Sequence, residues 1–267
     1  MRAHAPGSVT GLFAPAAEEG GTAGGASFAT EDGVTVEVTP ASETAVTVDG
    51  EPAPFEPVER VLAALDVTAA ADVRPELPLG HGFGASGAAT LAAALAADAE
   101  FGLGHDRGAL LDMAYDAEVA AGTGESDVII QDRGGLLWNT GDGVHRRELD
   151  DHVEYATAGG IATSEMLADE TFMEVASRTG FRELERFDEN PTLRSLAERS
   201  RAFLRETDLA TPFVEREIER VEAAGGAAGM ALFGETVFAV AVDGVLADRT
   251  TVSNEGARLL PEDGRSG

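Results

Sequence analysis

Hydrophobic and polar residues alternate in the first fifty residues of the chain, where the pattern predicts β-strands. Valines alternate with polar residues over 34–39, the period of two expected of a half-buried strand. Residues 45–49 repeat this alternation, so we expect a β-hairpin that turns through residues 40–43. Residues 1–13 are mostly apolar with a Pro-Gly break, and the Gly-, Ala- and Glu-rich stretch 14–32 predicts a long loop.

Farther along the chain, apolar residues recur at helical spacing. Val58, Val61, Leu62 and Leu65 follow the i, i+3, i+4, i+7 rule of an amphipathic helix. The other predicted elements are a buried Ala- and Leu-rich helix over 91–101, helices over 106–121, 192–206 and 212–223, a short strand over 128–130, and strands over 230–233 and 237–242 joined at Gly234-Glu235. Because helices and strands come in mixed order without a βαβα rhythm, we expect an α+β fold.

The composition excludes several classes of chemistry. All 19 basic residues are arginines, and the chain contains no lysine and no cysteine. The absence of lysine excludes a Walker-type phosphate loop and Schiff-base chemistry, and the absence of cysteine excludes thiol nucleophiles, thiolate metal sites and disulfides. With 48 acidic residues and a formal net charge of −29, the chain should repel nucleic acids and anionic lipids, so we expect neither as a partner.

The same composition predicts that the protein works at high salt concentration. Complete use of arginine in place of lysine, with abundant Asp and Glu, resembles the cytosolic proteins of salt-loving archaea. At molar salt the Debye length is about 3 Å, so surface carboxylates repel one another little. Residues 1–6 lack the apolar core of a signal peptide, and no uncharged apolar stretch reaches the ~20 residues of a membrane helix. We therefore expect a soluble, cytoplasmic protein.

A glycine-rich segment before the predicted helix at 91–101 is open to three interpretations. The sequence GFGASG at 82–87 matches the dinucleotide fingerprint, but a Pro and another Gly precede it, and a second helix follows where a strand ending in an acidic residue is required. The sequence GASGA at 84–88 nearly matches a nucleophile elbow, but no downstream histidine has a suitable setting. A glycine turn that opens into a helix can also present backbone N–H groups to an anion. The spacing of the residues supports two interpretations equally: a phosphate-binding loop, or a plain turn in which Ser86 is the N-cap of the helix.

Residues 78–88, with the sequence PLGHGFGASGA, resemble the P-x-x-x-G-L-G-S-S-A-A motif of the GHMP kinases, which wraps ATP phosphates without a lysine. The departures are Phe83 for Leu, Ala85 for the first Ser and Gly87 for Ala, whereas the second serine is kept as Ser86. The resemblance implies that ATP phosphates are bound by the backbone of Gly80, His81, Gly82, Phe83, Gly84, Ala85, Ser86, Gly87 and Ala88.

Two further segments resemble GHMP motifs in the same order along the chain. Residues 4–13 resemble the N-terminal segment near the acceptor substrate, and residues 225–233 resemble the glycine motif that supports the phosphate loop. In the second segment the supporting glycines are Gly225, Gly226 and Gly229. Within the superfamily, residues 6–13 and 117–135 are most similar to archaeal pantoate kinases.

This resemblance implies a fold and a reaction. The fold is the α+β GHMP kinase fold, with a half like domain 2 of ribosomal protein S5 and a ferredoxin-like half. We expect an ATP-binding domain over residues 1–150 and a C-terminal domain over residues 151–267. The implied reaction is phosphorylation of pantoate to 4-phosphopantoate by ATP, in archaeal coenzyme A synthesis.

The resemblance also assigns roles to individual residues. Ser86 and Glu118 would bind Mg²⁺, and Glu118 stands on an apolar helix face where a carboxylate needs a partner. Asp127 would be the catalytic base, with Glu125 and Asp132 as weaker substitutes, although some family members lack a base. Ser8, Thr10 and Arg133 are the candidate substrate-binding residues, with Arg2 as another arginine that could pair with the pantoate carboxylate.

Two other functions stay open at this point. Another GHMP kinase, acting on shikimate, homoserine or a mevalonate-type acid, would share every ATP-binding feature. A non-catalytic nucleotide-binding regulator would account for the departure at Ala85. The oligomeric state, including a homodimer, is also left open.

Overall fold

The computed structural model describes residues 1–16, 21–123, 127–160 and 169–261. The strands are β1 (Arg2–Ala14), β2 (Gly24–Pro40), β3 (Ala45–Val48), β4 (Glu51–Pro52), β5 (Ala69–Pro75), β6 (Leu136–Asn139), β7 (Val144–Arg147), β8 (His152–Gly160), β9 (Ala227–Met230), β10 (Gly234–Val240), β11 (Asp248–Thr251) and β12 (Arg258–Leu259). The helices are α1 (Glu56–Ala64), α2 (Ala85–Phe101), α3 (Arg107–Ala121), α4 (Asp127–Arg133), α5 (Glu170–Asp188), α6 (Leu193–Thr207) and α7 (Pro212–Ala223).

The described strands form two sheets. The first has the order β12-β1-β2-β5-β3-β4, and β6 and β7 extend it from β2. Its centre is the long antiparallel pair of β1 and β2, with β5 beside residues 34–40 of β2 and β6 beside residues 25–28. The second sheet has the order β11-β8-β10-β9 and is antiparallel throughout.

Two large hydrophobic cores lie against these sheets. One joins β1, β2 and β5 to α1, α2 and α3. The other joins the second half of β1 and the strands of the second sheet to α5, α6 and α7. The strand β1 therefore contributes to both cores, which places its middle residues, around Ser8, between them.

Helix α2 occupies the centre of the first core. Twelve of its residues are buried, mostly alanines on every side of the helix, so it lacks the polar face of a surface helix. Its alanines allow close approach to β1, β2 and three neighbouring helices. Among the described helices, none is long and apolar enough to cross a membrane.

Four of the described helices begin with a side-chain cap, whereas α1 and α2 do not. Asp106, Asp169, Thr192 and Thr211 accept hydrogen bonds from the first backbone N–H groups of α3, α5, α6 and α7, respectively. Helix α2 begins after Gly84 without any side-chain cap.

The predicted helices are confirmed at residues 58–65, 91–101, 106–121, 192–206 and 212–223, within a few residues at each end except the start of the second. Helix α2 begins six residues earlier than predicted, directly after the glycine loop. The strand predicted over residues 34–39 is confirmed as the second half of β2.

Several strand predictions are wrong. The predicted loop over 14–32 contains the start of β2, which is paired with β1 from Gly24 onward. The predicted hairpin through 40–43 does not form, because β5 lies between β2 and β3, and β3 pairs with β5 in parallel. The C-terminal hairpin is shifted, because β9 ends at Met230 and the turn comes before Gly234.

The predicted strand over 128–130 is part of helix α4. Asp127 in the first turn and Arg133 in the last turn suit the helix dipole, and Val128 and Ile130 are buried. Packing against α2 and β1 outweighs the strand preference of three consecutive β-branched residues. The domain boundary at residue 150 stays a prediction; the described strands of the second sheet all come from residues after 150, but β12 returns to pair with β1.

We expect Ala92→Leu in the buried middle of α2 to lower the free energy of unfolding by about 1–3 kcal/mol, because the close-packed core has no room for three more carbons. Ala99→Leu, at a half-buried position of the same helix, is the matched control and should change stability much less. Urea unfolding at constant salt measures both. Equal effects would mean that α2 is loosely packed.

Candidate active site

The loop between β5 and α2 is built on three glycines. Gly80, Gly82 and Gly84 have φ values of +76°, +88° and +59°, the left-handed region that glycine enters without strain. A Cβ on Gly82 would also lie 2.8 Å from a backbone oxygen of the turn before β10. Between the glycines, the ring of Phe83 is buried edge-on against Tyr155, with centroids 4.9 Å apart. The loop is therefore anchored by its aromatic side chain, while its backbone turns toward the start of α2.

The first N–H groups of α2 have no acceptor among the described residues. Gly84 is the N-cap, and the first backbone bond into the helix runs from the N–H of Ala88 to the oxygen of Gly84, 3.0 Å away. The N–H groups of Ala85, Ser86 and Gly87 are left for another acceptor, and the positive end of the helix dipole adds to their field. This arrangement suits an anion such as a phosphate. Ser86 is not the N-cap, which removes the plain-turn interpretation of its hydroxyl.

Two threonines of the second sheet hold the loop in place. The hydroxyl of Thr236 donates to the backbone oxygen of His81 at 2.7 Å, and the hydroxyl of Thr157 lies 2.7 Å from that of Thr236 and 2.8 Å from Nδ1 of His81. Each hydroxyl has one proton, and a carbonyl oxygen can only accept. The single proton of Thr236 is therefore shared between the backbone oxygen of His81 and the hydroxyl of Thr157, which also contacts the His81 ring.

Glu118 on α3 faces the start of α2. Its carboxylate accepts hydrogen bonds from the hydroxyls of Ser86 at 3.0 Å, Thr90 at 2.6 Å and Thr123 at 2.7 Å. Only 3% of Glu118 is exposed, and no described arginine pairs with it. Burial raises the pKa of Glu118 above its ordinary value despite these bonds, and the negative charge of Asp127 raises it further.

Asp127 begins α4 on the other side of the loop. The hydroxyl of Ser8 donates to its Oδ1 at 2.8 Å, and burial raises the pKa of Asp127 more than this bond lowers it. Ser8 is itself fixed by its backbone N–H, which donates to the oxygen of Phe83 at 2.9 Å. The side-chain amide of Gln131 donates to the oxygen of Gly84 at 2.7 Å. The predicted residues Ser8, Ser86, Glu118 and Asp127 thus surround the unfilled N–H groups.

The other predicted substrate-binding residues do not share these contacts. Thr10 lies two residues after Ser8 on β1, and its hydroxyl is 2.8 Å from the hydroxyl of Ser27. Arg133 is exposed at the end of α4, and its guanidinium makes no hydrogen bond or ion pair within the described ranges. Arg2 is six residues from Ser8, about 20 Å along an extended strand, and donates to a backbone oxygen after β12 at 3.2 Å.

The two substitute bases are not better placed than Asp127. The carboxylate of Asp132 is paired with Arg107, whose Nε lies 2.5 Å from it. Glu125 lies outside the described residues.

The three glycines of the predicted motif do not contact the loop, which instead meets Ala231 and the next residue after the motif, Gly234. A Cβ on Gly226 or Gly229 would collide with side chains of α7 or α6, and Gly225 has open space around it. It is Gly234 that lies against the loop, where a Cβ would be 2.0 Å from the oxygen of His81. Gly226 and Gly229 therefore allow close helix packing behind the loop, whereas Gly225 has no such role.

Five polar residues of the site were not predicted. Thr90 comes one helical turn after Ser86, a spacing that could have indicated it. Gln131 was missed because a strand over 128–130 would put it about 13 Å from Asp127, whereas in a helix the two are neighbours. Thr123, Thr157 and Thr236 carry no pattern that distinguishes them from other threonines.

Comparison with known proteins agrees with this geometry. Residues 57–135, which include the glycine loop, Glu118 and Asp127, match the family model described as "GHMP kinases N terminal domain". This segment is therefore similar to the N-terminal domain of the GHMP kinases. No curated protein sequence matches the chain.

Solved structures extend the likeness to the whole chain. A protein described as a phosphotransferase related to the CoA biosynthesis pathway is 21% identical, with a TM-score of 0.84 over 98% of this chain and 99% of its own. A mevalonate kinase is 13% identical, with a TM-score of 0.72 over 96% of this chain and 100% of its own. A homoserine kinase from Cytophaga hutchinsonii is 15% identical, with a TM-score of 0.64 over 97% of each chain. The expected α+β GHMP kinase fold is confirmed.

We expect Glu118→Gln to raise the thermal midpoint of the metal-free protein at neutral pH. Because burial raises the folded-state pKa of Glu118, wild-type stability falls as the pH rises from the ordinary carboxyl pKa to the raised one. Glutamine avoids this loss, so the advantage of the variant should shrink as the pH is lowered through that window. Thermal unfolding in EDTA at several pH values measures it. A variant that melts below wild type at neutral pH would show that the three hydroxyls stabilise the charge more than burial destabilises it.

Proposed function

We propose that this protein is an ATP-dependent small-molecule kinase that phosphorylates the 4-hydroxyl of pantoate. The observation that carries the kinase proposal is the uncapped start of α2, where three N–H groups have no acceptor among the described residues. They lie between two carboxylates that accept from serine hydroxyls, Glu118 of α3 from Ser86 and Asp127 of α4 from Ser8. In a chain without lysine, main-chain donors of this kind can hold a triphosphate in place of a loop lysine. The match to the GHMP kinase N-terminal domain supports the same conclusion.

The residues present fit a magnesium ion. Mg²⁺ prefers hard oxygen ligands and is commonly bound by one or two carboxylates together with substrate phosphates. Glu118 is a buried carboxylate without a described cationic partner, 3.0 Å from the hydroxyl of Ser86. In this proposal Ser86 and Glu118 would hold the ion, which would neutralise phosphate charge when bound. No three acidic or histidine side chains cluster within the described ranges, so the nucleotide would supply the remaining ligands.

The reaction follows from the positions of the remaining groups. The N–H groups at the start of α2 bind phosphate oxygens of ATP and hold the γ-phosphorus in line with the acceptor. The acceptor hydroxyl oxygen bonds to the γ-phosphorus as the bond to the bridging oxygen of ADP breaks. Asp127 receives the hydroxyl proton, and its raised pKa makes it a better proton acceptor than an ordinary exposed aspartate. Ser8 keeps the Asp127 carboxylate oriented through its 2.8 Å bond.

Pantoate is proposed on two grounds. Residues 6–13 and 117–135 resemble archaeal pantoate kinases, and the structural neighbour related to CoA biosynthesis aligns with nearly all of this chain. Mevalonate and homoserine kinases share the fold at lower TM-scores. Mevalonate, homoserine and shikimate are the alternative acceptors. A regulator that binds ATP without turnover is the alternative outside catalysis.

A panel of acceptors tests the substrate. Among pantoate, shikimate, homoserine and mevalonate, we expect pantoate to give ADP release with the highest kcat/KM. The assay contains Mg²⁺ and molar KCl, because the acidic composition resembles that of salt-adapted proteins. A higher kcat/KM with another acid would replace pantoate. ATP binding by calorimetry with no turnover of any acceptor would support the regulator.

A single substitution tests the base. Asp127→Asn should lower kcat by about 100-fold or more, since general-base catalysis contributes roughly 10²–10⁴, while the affinity for ATP stays within a few-fold. Asp116→Asn, an exposed aspartate on α3, removes the same charge and is the matched control. Near-normal kcat in Asp127→Asn would mean that the transfer needs no base at this position.

A further inference from the structure

Gln131 is the only glutamine in a chain with 48 acidic residues, and it lies at the centre of the proposed site. Its side chain is fully buried, one helical turn after Asp127 on α4. The amide nitrogen lies 2.7 Å from the backbone oxygen of Gly84 and 3.4 Å from the hydroxyl oxygen of Ser8. Its own backbone oxygen accepts from the N–H of Ala257 at 2.7 Å, which fixes the end of α4.

The surrounding groups determine which way the amide points. The carbonyl oxygen of Gly84 can only accept, so the nitrogen of Gln131 must face it. The single proton of Ser8 is donated to Asp127, which leaves the Ser8 oxygen to accept from the second amide proton. An ionised glutamate has no proton for either bond. This requirement explains why an amide stands here in so acidic a chain.

Gln131 also explains one departure from the GHMP motif. That motif has alanine at the position of Gly87, which lies inside α2 with ordinary helical backbone. A Cβ on Gly87 would lie 2.9 Å from Oε1 of Gln131, closer than side chains normally approach. Oε1 is buried without a hydrogen-bond partner among the described residues, and the bonds of Nε2 keep it in place. Gly87 is therefore a glycine because Gln131 occupies the space of its side chain.

We propose that Gln131 is a positioning residue that fixes the phosphate loop and the catalytic base relative to each other. Through Gly84 it holds the residue just before the free N–H groups of α2. Through Ser8 it keeps the serine proton directed at Asp127. This role rests on the proposed kinase function, whereas its pairing with Gly87 is a property of the fold alone. Gln131 touches neither substrate in this proposal, so its effect passes through Ser8 and Gly84.

The kinetic test replaces the amide by a side chain of similar length. Gln131→Met should lower kcat about 10-fold or more, while the KM for ATP changes by less than about 3-fold, since the N–H groups themselves remain. If Gln131 acts through Ser8, the same change in a Ser8→Ala background should lower kcat further by less than about 2-fold. Full additivity of the two changes would overturn the route through Ser8, and a wild-type kcat in Gln131→Met would overturn the positioning role as a whole.

The second test needs no turnover. Gly87→Ala alone should lower the thermal midpoint by several degrees, on the order of 2–4 °C for each kcal/mol lost, because the new methyl displaces Gln131. In a Gln131→Ala background the same change should cost nothing or raise the midpoint. Gly108→Ala, in the exposed first turn of α3, is the control for helix propensity alone.

The two tests separate the possible failures. If Gly87→Ala lowers the midpoint only when Gln131 is present, but the protein turns over no acceptor, the pairing of the two residues stands and the kinase proposal is refuted. Turnover by wild type, with equal midpoint losses for Gly87→Ala in both backgrounds, would refute the pairing of Gly87 with Gln131.

Discussion

The uncapped start of α2 is the constraint on which the rest of the structure depends. Buried polar groups without partners are destabilising, so a fold that keeps several N–H groups free for a ligand must hold them by other means. Three bonds do this from three directions: Ser8 binds the oxygen of Phe83, Gln131 binds that of Gly84, and Thr236 binds that of His81. In each case a carbonyl oxygen of the loop is used, and the N–H groups stay available.

The buried glutamates differ in the groups that contact their carboxylates, and three of them are paired with arginines. Glu183 is surrounded by Arg182, Arg186 and Arg199, and Glu217 is paired with arginines on its own helix. For Glu154, burial alone would raise the pKa, but hydrogen bonds from three backbone N–H groups and from Arg249 lower it below its ordinary value.

Glu118 differs from these residues, since among the described residues its hydrogen-bond donors are all neutral hydroxyls, and its pKa is raised. A buried carboxylate without a cation of its own is the natural position for an external cation. The same reasoning separates Asp127 from Asp132, whose charge is already paired with Arg107. Polarity and burial alone would not have distinguished these residues, whereas the nature of their partners does.

The sequence was most informative where structure is local. Periodic apolar residues predicted the helices near 58–65, 192–206 and 212–223, and the glycine motif pointed to Ser86 and the loop before it. Strand pairing was predicted badly, because β5 enters between β2 and β3 from a distant part of the chain. The role of Gln131 could not be predicted, since it depends on residues 127–133 being helical despite their β-branched side chains.

The bond between Thr236 and the loop has a consequence for how the protein is made. Residues 80–88 are synthesised long before β10, and the glycine Gly234 that packs on the loop belongs to the same late strand. During translation the first core can assemble around α2, but the loop lacks its support from the second sheet until Thr236 has emerged from the ribosome. The loop can therefore reach the geometry seen in the complete fold only after residues 234–236 have been synthesised, about 150 residues after the loop itself.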